Sequence, residues 1–493
     1  MKKIKKDNSI SRRDFVRNTL VASAGFSIVP SFAISGLGHK APSDKLNIAG
    51  IGVGGMGFSN LKQMETENIV GLCDVDWKYS DRVFKHYPKA KKYKDFRKMY
   101  DELGKSIDGV VVATADHTHA IVSADAIAMG KHVYLQKPLT HTVYESRLLT
   151  NLADKYKVAT SMGNQGASGE GVNLVAEWLA NNEIGEVTRV EAFTDRPIWP
   201  QGQPTPAAMP SPDTLDWDLF VGPAKMRPFN ENYTPWNWRG WWDFGTGALG
   251  DMACHILHPV FVGLELGYPT FAQGSSTSLL EDSAPTAQKV SLTFPTRESK
   301  FNKTLPEVEV TWYDGGLQPD KPKGWPDGKD MNNSGGGVIF HGTKDTLVCG
   351  CYGRDPWLIS GRVPTAPKFR RRIDVSHEQD WIRAAKESTG SRIETSSPFS
   401  EAGPFNEMVV MGVLAVRLQN LNKKLAWDGK NMKFTNITEN ETIKIIKEDN
   451  FSIHDGHPTF EQVWTDPVNA NLYAEELIKH NYRNGWSLPD MPK

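Results

Sequence analysis

The feature that most constrains this chain is a run of glycines, Gly52-Val53-Gly54-Gly55-Met56-Gly57, set between an apolar segment and a helix-like one. Residues 46–51 are short and apolar, and a helical pattern continues to about Met64. The spacing is G-x-G-x-x-G. In such a strand–turn–helix unit the first glycine permits a tight turn. The second lets backbone approach a pyrophosphate, and the third lets the helix pack close on the strand. The helix N-terminus then faces the phosphates. A second strand over residues 69–73 ends at Asp74. An acid about 20 residues past the first glycine is placed to bond ribose hydroxyls, and it repels a 2′-phosphate. Gly52, Gly54, Gly55, Met56, Gly57 and Asp74 are therefore expected to bind NAD in preference to NADP, with Asp76 a nearby second acid.

The alternation of strand and helix patterns continues. Residues 109–114 read as a strand, followed by Ala115-Asp116-His117-Thr118-His119 and a helix to about Met129. A strand over 132–136 is closed by Lys137-Pro138, a helix spans 142–156, and 158–162 forms the sixth strand. In open parallel sheets ligands lie beyond the carboxyl ends of strands. Thr114, Asp116, His119, Gln136 and Lys137 fall there and join the expected cofactor set. His119 fits either ligand contact or inward packing at a helix start.

The chain has 493 residues, 39% of them hydrophobic, too long for one ordinary domain and apolar enough for a packed core. Its 57 basic and 58 acidic side chains leave a net charge of −1, which gives no electrostatic reason for a nucleic-acid partner. Four cysteines, Cys73, Cys254, Cys349 and Cys351, make no disulfide framework in a chain this long and read as buried thiols. The N-terminus is basic, then carries Ser11-Arg12-Arg13-Asp14-Phe15-Val16, a mild apolar stretch over 20–34, and Ser31-Phe32-Ala33. That order predicts a twin-arginine (Tat) signal peptide over 1–33, cleavage near Ala33, and a periplasmic destination reached in the folded state through the Tat machinery. The apolar stretch is broken by Ser23, Gly25, Ser27 and Pro30, so no stable membrane anchor is expected. A linker over 34–45, a Rossmann domain over 46–163 and a second domain over 164–493 complete the division. A dinucleotide protein exported folded must load its cofactor beforehand and hold it tightly.

These residues resemble the Gfo/Idh/MocA oxidoreductase family. The resemblance rests on the glycine turn, Asp74, the 113–119 segment, Gln136-Lys137-Pro138 and Gly247-Ala248-Leu249-Gly250-Asp251-Met252-Ala253-Cys254-His255. It extends to residues 377–381 and 425–429 and points to the exported branch acting on sugars and glycosides. It implies a Rossmann doubly wound parallel sheet followed by an α/β domain with an open, mostly antiparallel sheet, assembled as a homodimer or tetramer. It also implies that Lys137 is catalytic and that Asp251 and His255 face the substrate. Gln136 stands where the family usually has Glu, and Ala115 replaces a common proline.

Asp251 and His255 are four apart, on one face of a helix, with His258 three further on. Oxidising an alcohol requires a base, and histidine starts near pKa 6.5. His255 is therefore expected to take the hydroxyl proton, Asp251 to bind a neighbouring hydroxyl, and Lys137 to stabilise the alkoxide or relay the proton. Lys137 and His255 could exchange roles. A core pair, or a metal triad with His258, are the competing readings of the helix; no other ligand cluster is evident, so no metal is expected. Aromatic faces stack on sugar rings. Trp238, Arg239, Trp241 and His258 are the expected substrate contacts, against core filling for some of the tryptophans between Trp236 and Trp242. Residues 197–212 read as a loop, Arg370-Arg371-Arg372 as a solvated face. The leading reading is hydride transfer between a tightly held NAD and a secondary sugar hydroxyl, with C3 as a candidate. The alternative is a redox-neutral glycosidase that oxidises C3 transiently and eliminates the leaving group. The segment around Asp251 and His255 looks more like the dehydrogenase branch than the NAD-dependent N-acetylgalactosaminidases. A non-catalytic sugar sensor is the third, and the joint presence of Lys137, Asp251 and His255 speaks against it.

Overall fold

Strand patterns of period two and helices of period 3.6 resolve into two large sheets and smaller strand pairs in the computed structural model, which describes residues 44–331 and 335–492. The twin-arginine segment and the boundary near Ala33 lie outside the described residues. The first sheet contains β1 (Asn47–Ile51), β2 (Asn68–Cys73), β3 (Lys91–Tyr93), β4 (Gly109–Val112), β5 (His132–Leu135) and β6 (Thr160–Met162). Every pairing is parallel, in the order β3-β2-β1-β4-β5-β6. All four residues of β4, Gly-Val-Val-Val, are buried, as expected for a strand covered on both faces. β3 carries no apolar run, and two of its three residues are exposed lysines. The chain reverses direction of travel across the sheet between β1 and β4, which opens a crevice at their carboxyl ends.

The covering helices are α1 (Phe58–Gln63), α2 (Trp77–His86), α3 (Phe96–Leu103), α4 (His119–Ala128) and α5 (Val143–Tyr156). Asp76 caps α2 by accepting from the Lys78 and Tyr79 amides, and Thr142 with Glu145 forms a capping box on α5. After α6 (Glu170–Ala180), a second sheet of nine strands is built from β7 (Val187–Phe193), β8 (Phe271–Ser276), β9 (Gln288–Phe294), β12 (Val308–Tyr313), β13 (Gly337–Gly342), β14 (Thr346–Gly350), β15 (Trp357–Leu358), β16 (Leu425–Asp428) and β17 (Lys433–Phe434). The short β10 (Arg297–Glu298) and β11 (Thr304–Leu305) pair separately. Only β7 and β12 run parallel; the other pairings are antiparallel. One face packs on helices, and the other exposes Gln273, Ser275, Lys289 and Glu309. Between β7 and β8 lie α7 (Trp217–Val221), α8 (Gly247–Ile256) and α9 (His258–Gly263), which carry the residues of interest.

Late segments return to the first sheet. In α10 (His377–Lys386), Trp381 is fully buried among Ile48, Leu61, Val111 and Tyr134. A Cβ on Gly109 would meet its ring at 2.9 Å. Glu378 of the same helix accepts a 2.8 Å bond from Asn60. The long α11 (Phe399–Arg417) packs along α5, with Asn406 accepting from the Leu139 amide and Arg147 gripping Glu407. A boundary at residue 163 thus leaves out a helix on which the first sheet depends. Arg371 is exposed and Arg372 partly so, and they also bind Asp380 and Glu177 respectively, tying the 370–372 segment to α10 and α6. After α12 (Ala470–Ile478), the chain runs back along the first domain. All four cysteines are free and buried. Among the described residues no helix is long and apolar enough to cross a membrane.

Candidate active site

The glycine turn has its own steric logic. Gly52 takes φ +76°, and a Cβ there would lie 2.6 Å from the Ala113 main chain. A Cβ on Gly57 would strike the Gly52 carbonyl oxygen at 2.3 Å, so close helix–strand packing requires glycine there. At Gly54 the volume of a side chain is taken by the ring of Tyr79, 2.2 Å from a Cβ position. Arg82 donates to the Gly54 carbonyl at 2.9 Å. Asp74 accepts from the Gly54 amide at 2.9 Å and from the Asp76 amide at 3.0 Å. Burial raises its pKa, against those hydrogen bonds. Asp74 therefore braces the turn from below and keeps lone pairs for further donors such as ribose hydroxyls.

A cleft of about 300 Å³ runs from this turn to α8. Gly52, Gly54, Gly55, Met56, Asp74, Thr114, Gln136 and Lys137 line it and face Trp238, Arg239, Asp251 and His255 from the second domain. A glycine-rich turn, an acid at the end of β2 and an open crevice fit a dinucleotide, and these are the residues that would hold it.

At the far end Lys137 Nζ donates to Asp251 Oδ1 at 2.7 Å and to the Asp251 main-chain oxygen at 2.9 Å. Arg239 Nε donates to the same Oδ1 at 2.9 Å. Burial opposes the charge on Asp251, but Lys137 and Arg239 together hold its pKa well below the ordinary carboxylate range. Lys137 has a third N–H to offer. Two cations against one anion leave a net positive charge, suited to an oxygen that becomes anionic. The Arg239 guanidinium lies 3.8 Å from the Trp236 ring centroid and 4.2 Å from that of Trp238, a stack that fixes its plane.

His255 lines the cleft one helical turn on from Asp251. Its Nδ1 is buried with no hydrogen-bond partner. Burial, aided by the charge of Lys137, lowers its pKa to about 3. The expectation of a base poised near neutral pH is thus corrected: the imidazole is neutral and weakly basic at rest. Tyr352 packs on it, ring centroids 4.6 Å apart, from a left-handed backbone position of φ +65°. Tyr352, Tyr79, Met252, Gln165 and Trp236 also line the cleft and were not singled out by sequence for that role. The alternating pattern of a strand gives no signal for Tyr352, whose position follows from the turn after β14.

Gly57 packs against the Gly52 carbonyl and does not line the cleft, and four other expected contacts lie elsewhere. His119 is buried with its ring nitrogens against the carbonyls of Pro138 and Thr114, so the inward-packing reading holds. His258 pairs with Glu401 at 3.0 Å and packs on Phe405, away from the cleft wall. Trp241 is 1% exposed and donates to the Asn232 carbonyl within an aromatic cluster with Tyr233 and Phe244. Asp116 sits behind the wall, where one oxygen accepts from the amide and hydroxyl of Thr246, just before α8. Its other oxygen has no partner, and burial raises its pKa to about 7. His258 lies on α9, not on the helix of Asp251, and the two residues face different partners.

A parallel nucleotide-type sheet, a glycine turn and a lysine–carboxylate–histidine end define a dinucleotide-dependent oxidoreductase. Comparison with known proteins gives the particular group. Residues 46–164 match the family model described as "Oxidoreductase family, NAD-binding Rossmann fold", and residues 177–294 match "Oxidoreductase family, C-terminal alpha/beta domain". The chain belongs to the Gfo/Idh/MocA oxidoreductase family, and its cofactor is NAD. A glycosyl hydrolase family 109 protein 1 of Shewanella sp. (strain ANA-3) is 28% identical over 210 residues, covering 38% of this chain and 46% of that protein. Glucose-6-phosphate 3-dehydrogenase of Bacillus subtilis (strain 168) is 25% identical over 144 residues, 29% of this chain and 40% of that one. The chain thus spans less than half the length of these curated relatives. The WlbA dehydrogenase of Chromobacterium violaceum, solved with NADH and UDP-GlcNAcA, shares the fold at TM-score 0.51 and 15% identity, over 78% of this chain and 96% of that one.

Proposed function

We propose that this oxidoreductase acts on a secondary hydroxyl of a sugar or glycoside. The observation that carries the reading is the pairing of Lys137, from the end of β5, with Asp251, which stands beside His255 in one cleft with the glycine turn. NAD, when bound, supplies the hydride acceptor. Lys137, held in place by its bonds to Asp251, offers its remaining N–H to the substrate oxygen and stabilises negative charge there. His255 accepts the hydroxyl proton. Its low basicity suffices, because a carbinol proton becomes strongly acidic as hydride leaves the carbon. Arg239 and the neighbouring faces of Trp236 and Trp238 provide a wall for the ring of the substrate. The activities of the relatives, a sugar-phosphate 3-dehydrogenase and a glycosyl hydrolase, support a carbohydrate substrate, and the first makes C3 the first carbon to examine.

The experiment is to incubate cofactor-loaded protein with a panel of sugars and glycosides and to follow absorbance at the reduced-nicotinamide band. A change that disappears in Lys137→Ala supports the reading; no change across a broad panel counts against it. The hydrolase relatives favour a second reading, redox-neutral cleavage through transient C3 oxidation. Release of a free leaving group, with no added acceptor and no net reduction of cofactor, would select it. The basic twin-arginine segment supports export of the loaded, folded protein, which cell fractionation tests.

A further inference from the structure

We propose that the C-terminal tail forms the adenine end of the nucleotide cleft, with Trp486 as its wall. This rests on the assignment of NAD to the cleft. The sheet order places β2 and β3 on one side of the glycine turn and β4 and β5, with Lys137, on the other. Asp74, at the end of β2, is the ribose acid. The base of the adenosine half then lies beyond it, toward the end of β3. There the cleft is lined by Lys94, Asp95, Phe96 and, from 390 residues further along the chain, Trp486.

The indole is held in place by a built support. Arg97 lies under it, guanidinium 4.3 Å from the ring centroid, and is itself forked onto Asp95 by bonds of 2.9 and 2.8 Å. Phe96 flanks it with ring centroids 6.2 Å apart. The tail is tied on both sides of the cleft. Tyr482 donates to Glu145 of the first domain at 2.6 Å. Arg483 binds the side chain and carbonyl of Asp218, at 2.8 and 2.7 Å, and the Gly222 carbonyl in the second. Residues 480–492 thus strap one domain to the other across the mouth of the adenosine pocket. An aromatic wall for a purine, and a covalent return of the chain over it, oppose release of the nucleotide.

The chemistry predicts which ligands feel the strap. Removing an aromatic partner of a base weakens binding by roughly tenfold or more. Trp486→Ala should therefore weaken ADP-ribose and NAD by roughly that factor and speed NAD release, while nicotinamide mononucleotide binds as before. Trp486→Phe should retain most of the affinity, and Arg483→Ala should act in the same direction as Trp486→Ala by loosening the tail. The measurement is calorimetric affinity for the three ligands on nucleotide-stripped protein, with the dissociation rate of NAD and a thermal melt of each variant. Wild-type protein that binds ADP-ribose and variants that bind it equally well overturn the strap while leaving the cofactor assignment standing. Wild-type protein that binds neither NAD nor ADP-ribose overturns both.

Discussion

Replacing Asp251 by asparagine removes the anion shared by Lys137 and Arg239 while conserving shape. The three side chains are 11–14% exposed, and the contacts are 2.7 and 2.9 Å. At an effective dielectric of about 20, each contact carries a gross attraction of about 6 kcal/mol. Most of that offsets the desolvation of the charges, and losing one partner of such a pair costs a net of about 3 kcal/mol because two buried cations are left facing each other. Urea unfolding followed by tryptophan fluorescence should therefore show a loss of about 3 kcal/mol at pH 7. The pH dependence is specific. Asp251 ionises in the fold well below its ordinary range, so its contribution is complete above about pH 4 and shrinks as acid protonates the carboxylate. The gap between wild type and variant should narrow by about 1 kcal/mol on going to pH 3. Arg239→Ala combined with Asp251→Asn should cost clearly less than the sum of the two, since they share one interaction. A gap below about 1 kcal/mol at pH 7, or one unaltered at pH 3, would refute the claim that this carboxylate is held ionised by two cations.

Gly54→Ala forces a methyl group to within 2.2 Å of the Tyr79 ring and should reduce NAD affinity at least about tenfold, measured by calorimetry; an unchanged affinity removes the turn from the site. His255 should give ring NMR signals that do not titrate between pH 5 and 8, and a midpoint above 5.5 contradicts its burial as a neutral base. Because its folded pKa is depressed, the fold loses stability through this residue as pH falls from about 6.5 toward 3, and His255→Asn should flatten that part of the curve. Lys137→Ala should lower turnover by roughly 10²–10⁴-fold; full turnover excludes it from the chemistry.

What the sequence disclosed was what local spacing encodes. The glycine turn, the buried valine strand and the i, i+4 relation of Asp251 and His255 are patterns over a few residues, and each survives in three dimensions. Lys137 was legible because it ends a strand of a parallel sheet. The failures share one cause: which way a polar or aromatic side chain faces is decided by distant chain. His119 and His258 find partners at Pro138 and Glu401, and Trp241 finds one at Asn232, so none reaches the cleft. Burial moved His255 far from its solution pKa, which spacing cannot report. Tyr352 and Trp486 enter the cleft from a turn and a tail that carry no periodic signal.

The insertion of Trp381 against Gly109 sets the order in which this molecule can be finished. A ribosome that has made the first 163 residues has delivered all six strands of the nucleotide sheet but not the helix that seals one side. Ile48, Leu61 and Val111 then stay without part of their cover until more than 200 further residues have emerged. Nascent chain should be sticky and sensitive to protease through that interval, and the sheet becomes a durable layer only once more than three quarters of the chain has been made.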